Sequence, residues 1–413
     1  MSATAALPVL PKPSQSRNLA LATLAFGLTF WAWNLIGPLA VRYSTQLHLT
    51  TSQKSMLIAT PVLVGALGRI PVGALTDRYG GRVMFTVLSL VSILPVLGVA
   101  WATSLGSYGL LLVFAFVLGI AGTSFAAGIP FVNAWYDAPR RGFATGVFGA
   151  GMGGTALSAY FTPRFVNWFG ETTTFVIMAV ALAVLAAVCW TMMQDSPRWS
   201  PNTDRVTPKL VAALKLPVTW QLSFLYAVVF GGFVAFSTYL PTYINTIYGF
   251  SPVDAGGRTA VFSVAAVVAR PVGGVLSDKI GPKPVVLVAL AGAAVLAVVA
   301  ATKPEPDLGS GTTFVLMALF LGLGTGGVFA WVARLTPVAR VGTVAGIVGA
   351  AGGLGGYFPP LIMGETYNAA NNSYTVGLLA LCLLAAVAFV FTLLVLPKGR
   401  DKATPNDPAV VHP

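Results

Sequence analysis

Charge is what this chain has least of. Only 9% of its 413 residues are Asp, Glu, Lys or Arg, against about 25% in a soluble globular protein. The hydrophobic share is 56% and the mean hydropathy +0.81, which excludes a water-soluble domain and points to an integral membrane protein. Acidic residues are scarcer still, at 12. Asp77, Asp137, Glu171, Asp195, Asp204, Asp254, Asp278, Glu305, Asp307, Glu365, Asp401 and Asp407 all fall at the ends of apolar segments, in loops or in tails, as do His48 and His412. Deep in the apolar segments there is therefore no carboxylate or imidazole for acid–base work. The two cysteines, Cys189 and Cys382, sit singly in apolar segments, which excludes a disulfide framework or a cysteine metal site. With no nucleophile–base pair and no ligand cluster, the chain is expected not to be an enzyme and to need neither cofactor nor metal. The opening stretch MSATAALPVLPKPSQSRN has no cleavable apolar core and reads as a short tail.

What the chain does have is apolar sequence in blocks. Segments of about 20 residues suffice to cross a bilayer. They fall at about 19–43, 53–76, 83–104, 107–136, 141–163 and 171–194, and again at about 219–247, 254–278, 284–302, 312–336, 340–364 and 373–397. The polar stretch Asp195–Pro217 separates the two sets. The expected fold is all-α, with about 12 transmembrane helices in two six-helix bundles. Its expected divisions are a tail at 1–18, a bundle at 19–194, a linker at 195–218, a second bundle at 219–397 and a tail at 398–413.

The two sets are related. PVLVGALGRIPVGALTDRYGGR, Pro61–Arg82, returns as VFSVAAVVARPVGGVLSDKIGPK, Val261–Lys283, at a constant offset of 201 residues. Arg69 matches Arg270, Gly73 matches Gly274 and Asp77 matches Asp278, while Arg78, Gly80 and Arg82 match Lys279, Gly281 and Lys283. Each copy runs from an apolar helix holding one arginine into a tight polar turn. At a helix end, Asp77 can pair with a nearby arginine or with the positive N-terminus of a neighbouring helix. Gly73, Asp77, Arg78, Gly80, Arg82, Asp278 and Lys279 are thus candidates for a conformational latch, the alternative being a plain tight turn.

A net charge of +12 would suit nucleic acid, but the positive residues sit between apolar segments and read as orientation signals. With the N-terminus cytoplasmic, seventeen of the 24 Lys and Arg fall on the side of the termini and the linker. Arg42, Lys54, Arg164, Arg258 and Lys303 fall on the other side. The positive-inside rule then places both termini in the cytoplasm, and no nucleic-acid partner is expected. Arg69 and Arg270 belong to neither side.

Arg69 lies eight residues before Asp77, about 12 Å deeper at 1.5 Å per residue, near the limit of what snorkelling can reach. Arg270 occupies the equivalent depth. Buried charge in a membrane is costly and marks a functional site by default. Two like charges facing each other need an anion or a carboxylate between them, and no carboxylate lies at that depth. The partner must come from solution, and a planar, permanently charged fork suits a small planar oxyanion. The competing reading is that backbone carbonyls at broken helices satisfy each arginine.

Glycine forms the second constellation. RRGFATGVFGAGMGGTALSAYF aligns Gly146, Gly149 and Gly153 on one helical face, and RVGTVAGIVGAAGGLGGYFPP aligns Gly346, Gly349, Gly353 and Gly356. Small residues at this spacing let helices approach closely. They either serve packing alone or also leave room for a ligand beside Gly149, Gly151, Gly349 and Gly353. In FGLTFWAWNLIGPLAVRY, Asn34 could donate to an anion or bond a neighbouring helix.

Two six-span halves with GALTDRYGGR after the second span and the weaker copy GVLSDKIGPK after the eighth resemble the major facilitator superfamily. Adding one arginine in each of those spans, glycine-rich fifth and eleventh spans and the aromatic, hydroxyl-bearing seventh span SFLYAVVFGGFVAFSTYLPTY, the chain looks like the nitrate/nitrite porters. That resemblance implies a pseudo-symmetric fold with alternating access and a bacterial plasma-membrane location. It implies nitrate and nitrite as substrates, Arg69 and Arg270 as the anion clamp, and Tyr226 as the substrate-side tyrosine. One departure is that some members carry an asparagine in the fifth-span glycine run, where this chain has Ala150, Gly151 and Met152. With no titratable group in the pathway, nitrate/nitrite exchange is favoured over proton symport. Carriage of another small anion, a carboxylate or cyanate, is the alternative, and the carrier is expected to work as a monomer.

Overall fold

The computed structural model describes residues 12–137, 140–202, 206–336 and 340–396. The expected tail at 398–413, most of the tail at 1–18, and with them Asp204, Asp401, Asp407 and His412, lie outside the described residues.

The first half is built from α1 (Lys12–Trp33), α2 (Ile36–Gln46), α3 (Thr51–Leu67), α4 (Arg69–Tyr79), α5 (Gly81–Ser104), α6 (Tyr108–Leu118), α7 (Ser124–Trp135), α8 (Arg141–Gly149), α9 (Gly154–Phe169) and α10 (Glu171–Met192). A short helix, α11 (Val206–Leu214), follows. The second half comprises α12 (Pro217–Tyr248), α13 (Pro252–Ile280), α14 (Pro282–Ala301), α15 (Leu308–Leu335), α16 (Val341–Gly355), α17 (Phe358–Glu365) and α18 (Thr375–Val395). Among the described residues, 11 helical stretches are long and apolar enough to cross a membrane. Large apolar side chains such as Leu24, Leu94 and Leu383 point outward and stay two-thirds exposed. Such an exterior belongs in lipid, and the chain is a multi-pass membrane protein.

The expected fifth crossing is not among those 11 and is made in three pieces. Between α8 and α9 the chain tightens into a 3-10 turn, Ala150–Gly153. Glycines at 149, 151, 153 and 154 supply no side chains to hold a regular α-helix there. The second crossing is likewise divided at Gly68, so Arg69 is the first residue of α4. Glycine has a different role at 80 and 281, where φ is +85° and +90°. Each of these matched residues ends one helix and starts the next, in a conformation that side chains disfavour.

The bundle has two end faces. One carries the start of α1, the turn at Gly80, the end of α7 and the segment after α10. There the Asn202 N–H donates to the Asp77 carbonyl at 3.0 Å, and Trp135 Nε1 to the Gln194 carbonyl at 3.2 Å. The other face carries the Arg42–Glu171 ion pair (3.2 Å) and the tyrosines at the end of α12.

Packing between the halves differs at the two faces. On the face away from the termini it is tight. A Cβ on Gly256 would collide with the Ala159 carbonyl, one on Gly37 with that of Thr238, and one on Gly364 with Ser55 Oγ. Toward the termini, Gly73, Gly146, Gly274, Gly342 and Gly346 each have open space where a Cβ would point. Gly73 and Gly274 lie one helical turn beyond Arg69 and Arg270, on the same helical faces. The halves therefore meet behind the arginines and part in front of them, leaving the interface open toward the face of the termini.

Candidate functional site

Arg69 is almost fully buried, with 3% of its surface exposed. The break at Gly68 puts its side chain at the head of α4, aimed at the second half, where Nη1 donates to the Gly349 carbonyl of α16 at 2.8 Å. Its Nε has no hydrogen-bond partner. Arg270 projects from the unbroken α13 toward the first half, and its Nη1 lies against Met152 Sδ in the 3-10 turn. Each arginine thus reaches across the interface to the glycine-rich crossing of the opposite half. The expected backbone alternative is realised in part, since one N–H of Arg69 does go to a carbonyl. Five donors per guanidinium leave most of the capacity of both groups unused, and among the described residues neither arginine forms an ion pair.

One ring holds the pair together. The guanidinium carbon of Arg69 stands 5.3 Å from the centroid of Phe125, and that of Arg270 stands 5.7 Å from the same centroid. A second ring completes each cage, Phe230 for Arg69 at 5.4 Å and Phe329 for Arg270 at 5.5 Å. Aromatic faces attract cations most strongly where water is excluded, so the rings stabilise two repelling charges without neutralising them. An anion entering here meets net positive charge in an apolar frame.

Tyr226 is fully buried on α12, its ring stacked on Phe230 at 4.9 Å and edge-on to Phe329 at 4.8 Å. Its hydroxyl has no geometric hydrogen-bond partner, yet the charges of both arginines act on it. The structure therefore brings Arg69, Arg270 and Tyr226 into one cluster. Gly349 and Gly353 join it: Gly349 supplies the carbonyl and faces Phe125, and a Cβ on Gly353 would sit 3.3 Å from Arg69 Nη1. Gly149 borders open space.

Two expected residues are committed elsewhere. The Asn34 side-chain amide donates to the Thr155 carbonyl at 3.4 Å and the Asn34 backbone carbonyl accepts from Ser158 at 3.0 Å, while its Oδ1 has no partner. Of its two readings, the bond to a neighbouring helix is the one realised. A side chain on Gly151 would run into Phe26, so this glycine packs α1 against the fifth crossing, and Phe26 fills the space that an asparagine side chain there would need.

The turn at Gly80 is tied to the segment after α10, and the end of α13 to Arg334 of α15. Asp195 Oδ1 accepts from the N–H groups of Gly81 (2.7 Å) and Arg82 (3.2 Å), capping α5. The Arg82 side chain stacks over Trp190 at 4.6 Å, and Arg78 over Tyr79 at 5.5 Å. In the second half, Arg334 donates to the Ser277 carbonyl at 2.8 Å and pairs with Asp278 at 3.5 Å. Lys279 is exposed in the last turn of α13.

Sequence reasoning missed the three cage rings and Met152. Phe125 was the hardest to find, because one phenylalanine among 25 in an apolar chain carries no pattern of its own. Met152 stood in the glycine run and was visible only as a departure.

Comparison with known proteins agrees with this geometry. Residues 22–329 and 258–411 match the sequence model of the Major Facilitator Superfamily. The chain is 62% identical over 380 residues to the "Probable nitrate/nitrite transporter NarK2" of Mycobacterium tuberculosis H37Rv, covering 92% of this chain and 96% of that protein. It is 33% identical to the "Nitrite extrusion protein" of Bacillus subtilis, with 92% and 94% covered. It is also 33% identical to the "Probable nitrate/nitrite antiporter NarK1" of Thermus thermophilus, with 96% of each covered. Among solved structures, a D-xylose–proton symporter superposes with a TM-score of 0.73 at 19% identity, covering 93% of this chain and 98% of that one. An inward-facing bacterial homologue of the human lysosomal transporter Spinster superposes with a TM-score of 0.71 at 18% identity, covering 93% and 97%.

Proposed function

The chain belongs to the major facilitator superfamily, among its nitrate/nitrite porters, and from that premise we propose that it carries nitrate and nitrite across the membrane by alternating access, exchanging one for the other. The observation that carries this reading is the pair of arginines, one from each half, sharing the ring of Phe125 with no carboxylate of the described residues between them. A small planar oxyanion placed there takes N–H donors from both halves at once, together with the Tyr226 hydroxyl. It thereby draws the halves together in front of the site, where they are now apart. Charge repulsion between Arg69 and Arg270 makes the same closure unfavourable without an anion. A carrier that closes only when loaded, in either direction, is an exchanger.

The open face is the one bearing the linker and the positive residues, which supports a bacterial plasma-membrane carrier with cytoplasmic termini, described here open to the cytoplasm. The tied turns at Gly80 and Gly281 would meet the opposite half when that side closes. One copy supplies both arginines, so a monomer suffices.

The test is nitrate uptake into proteoliposomes, with and without internal nitrite. Uptake that requires internal nitrite and ignores a pH gradient is expected. Uptake into empty vesicles driven by a pH gradient would replace exchange with proton symport, and no movement of either anion would remove nitrate and nitrite as substrates.

A further inference from the structure

The two bridges across the interface are not chemically alike. Arg69 donates a hydrogen bond to a backbone carbonyl, a strong acceptor fixed in a helix. Arg270 Nη1 points at the thioether of Met152 and lies against it, and a thioether is one of the weakest acceptors a protein possesses. Met152 is 2% exposed and packs within the hydrophobic core. Its backbone is pinned by Thr155, whose hydroxyl donates to the Met152 carbonyl at 3.0 Å. The side chain is unbranched, with three rotatable bonds, and its neighbours at 149, 151, 153 and 154 are all glycine.

We infer that Met152 is a built-in placeholder against Arg270, displaced when an anion takes Arg270 through Nη1, and that its weakness as an acceptor favours that replacement. An oxyanion binding Arg270 through Nη1 takes the N–H that points at the thioether. The exchange replaces a soft, neutral acceptor with a charged oxygen and so favours the anion, whereas the Arg69–Gly349 bond resists exchange more strongly. The incoming anion is therefore captured first on the Arg270 side and engages Arg69 second. The thioether also keeps Arg270 aimed across the interface when no anion holds it.

This inference rests on the anion-carrier reading and is tested on the full-length protein in detergent by calorimetric titration with nitrate and with nitrite. Met152→Leu removes the acceptor while keeping an apolar side chain of similar bulk, and Met152→Gln offers a strong amide oxygen on a chain of similar length. The leucine variant is expected to bind nitrate about three- to tenfold more tightly and the glutamine variant about tenfold more weakly. If the leucine variant does not elute as a folded monodisperse species, Met152→Ala takes its place with the same expectation. Equal weakening in both variants would give Met152 a packing role only and overturn the inference, as would unchanged binding in both. Failure of the wild type to bind either anion would overturn the carrier reading, and the placeholder with it.

Discussion

Arg69 and Gly349 meet at 2.8 Å across the interface between the two halves. The donor heads a helix that starts at a break, and the acceptor lies on a helix face stripped of side chains. This bond can form only if the second and eleventh crossings approach to within a backbone's width, which Gly353 permits on the next turn against Ala66. The anion site and the hinge surface are therefore the same surface, and a change of ligand on Arg69 is also a change of contact between the halves.

The arginines should not tolerate lysine. Arg69→Lys and Arg270→Lys each keep the positive charge but lose the planar fork. Losing one charge-assisted hydrogen bond costs about 1.5–3 kcal/mol, or roughly 10- to 150-fold in affinity. Nitrate affinity by titration should fall by that factor in either variant, and exchange by the double variant should drop to the level of protein-free vesicles. A lysine variant that transports at the wild-type rate would show that the fork is not what recognises the anion.

Phe125 should matter to both cations at once. Cation–π attraction in a desolvated setting is worth about 2 kcal/mol or more, and this ring serves two guanidiniums. Phe125→Leu keeps an apolar side chain but removes the π-face. The expected result is loss of affinity for both nitrate and nitrite by at least tenfold, with thermal stability close to wild type. Phe125→Tyr, which retains the face, should retain binding. Equal binding by the leucine and tyrosine variants would reduce the ring to a spacer.

The fold was legible because its signals repeat. Twelve apolar blocks, the 201-residue offset and the matched Gly80 and Gly281 turns all survive in a single sequence. Arg69 and Arg270 were legible because charge in an apolar run has no bland explanation. The cage was not, since Phe125, Phe230 and Phe329 come from three crossings and meet only through tertiary packing. Asn34 illustrates the opposite limit: an amide in an apolar helix signals a polar partner, but sequence cannot distinguish a carbonyl at the next helix from an anion in the pathway. The breaks at Gly68 and at Ala150–Gly153 were hidden in runs that read equally well as continuous helix.

The closed face should be sensitive to single methyl groups. Ser55 and Tyr239 bond across the halves at 3.2 Å, and Tyr239 continues to Tyr374 at 3.3 Å. On the same face Gly256 lies directly against the Ala159 carbonyl. Gly256→Val would place branched carbons where backbone oxygen now sits, and overpacking of this kind costs typically 1–3 kcal/mol. The penalty falls only on the conformation described here, so the population should shift toward the opposite one. Spin labels at Tyr79 and Arg340, one in each half on the face of the termini, should move closer together in the valine variant, and exchange should slow. An unchanged distance distribution would mean that the contact is not made during the cycle.

Asp195 sets the last expectation. Its Oδ1 caps the start of α5 through Gly81 and Arg82, and a lost cap costs about 0.5–2 kcal/mol. Asp195→Ala should therefore lower the Tm in detergent at every pH. The carboxyl also titrates higher than an ordinary aspartate, because its burial outweighs the help of the two amides and of Arg82. A raised acid is bound to its proton more firmly in the folded state than in the unfolded one. Its favourable share is thus complete below the ordinary carboxylate value of about 3.9 and is lost as the pH rises through the raised one. Asp195→Asn keeps an acceptor oxygen but cannot titrate. The Tm difference between asparagine variant and wild type should move in favour of asparagine as the pH is raised from about 4 toward neutrality, given the aspartate reference value. A difference that stays flat, or moves the other way, would mean that the ionised carboxylate is the better partner for the α5 terminus.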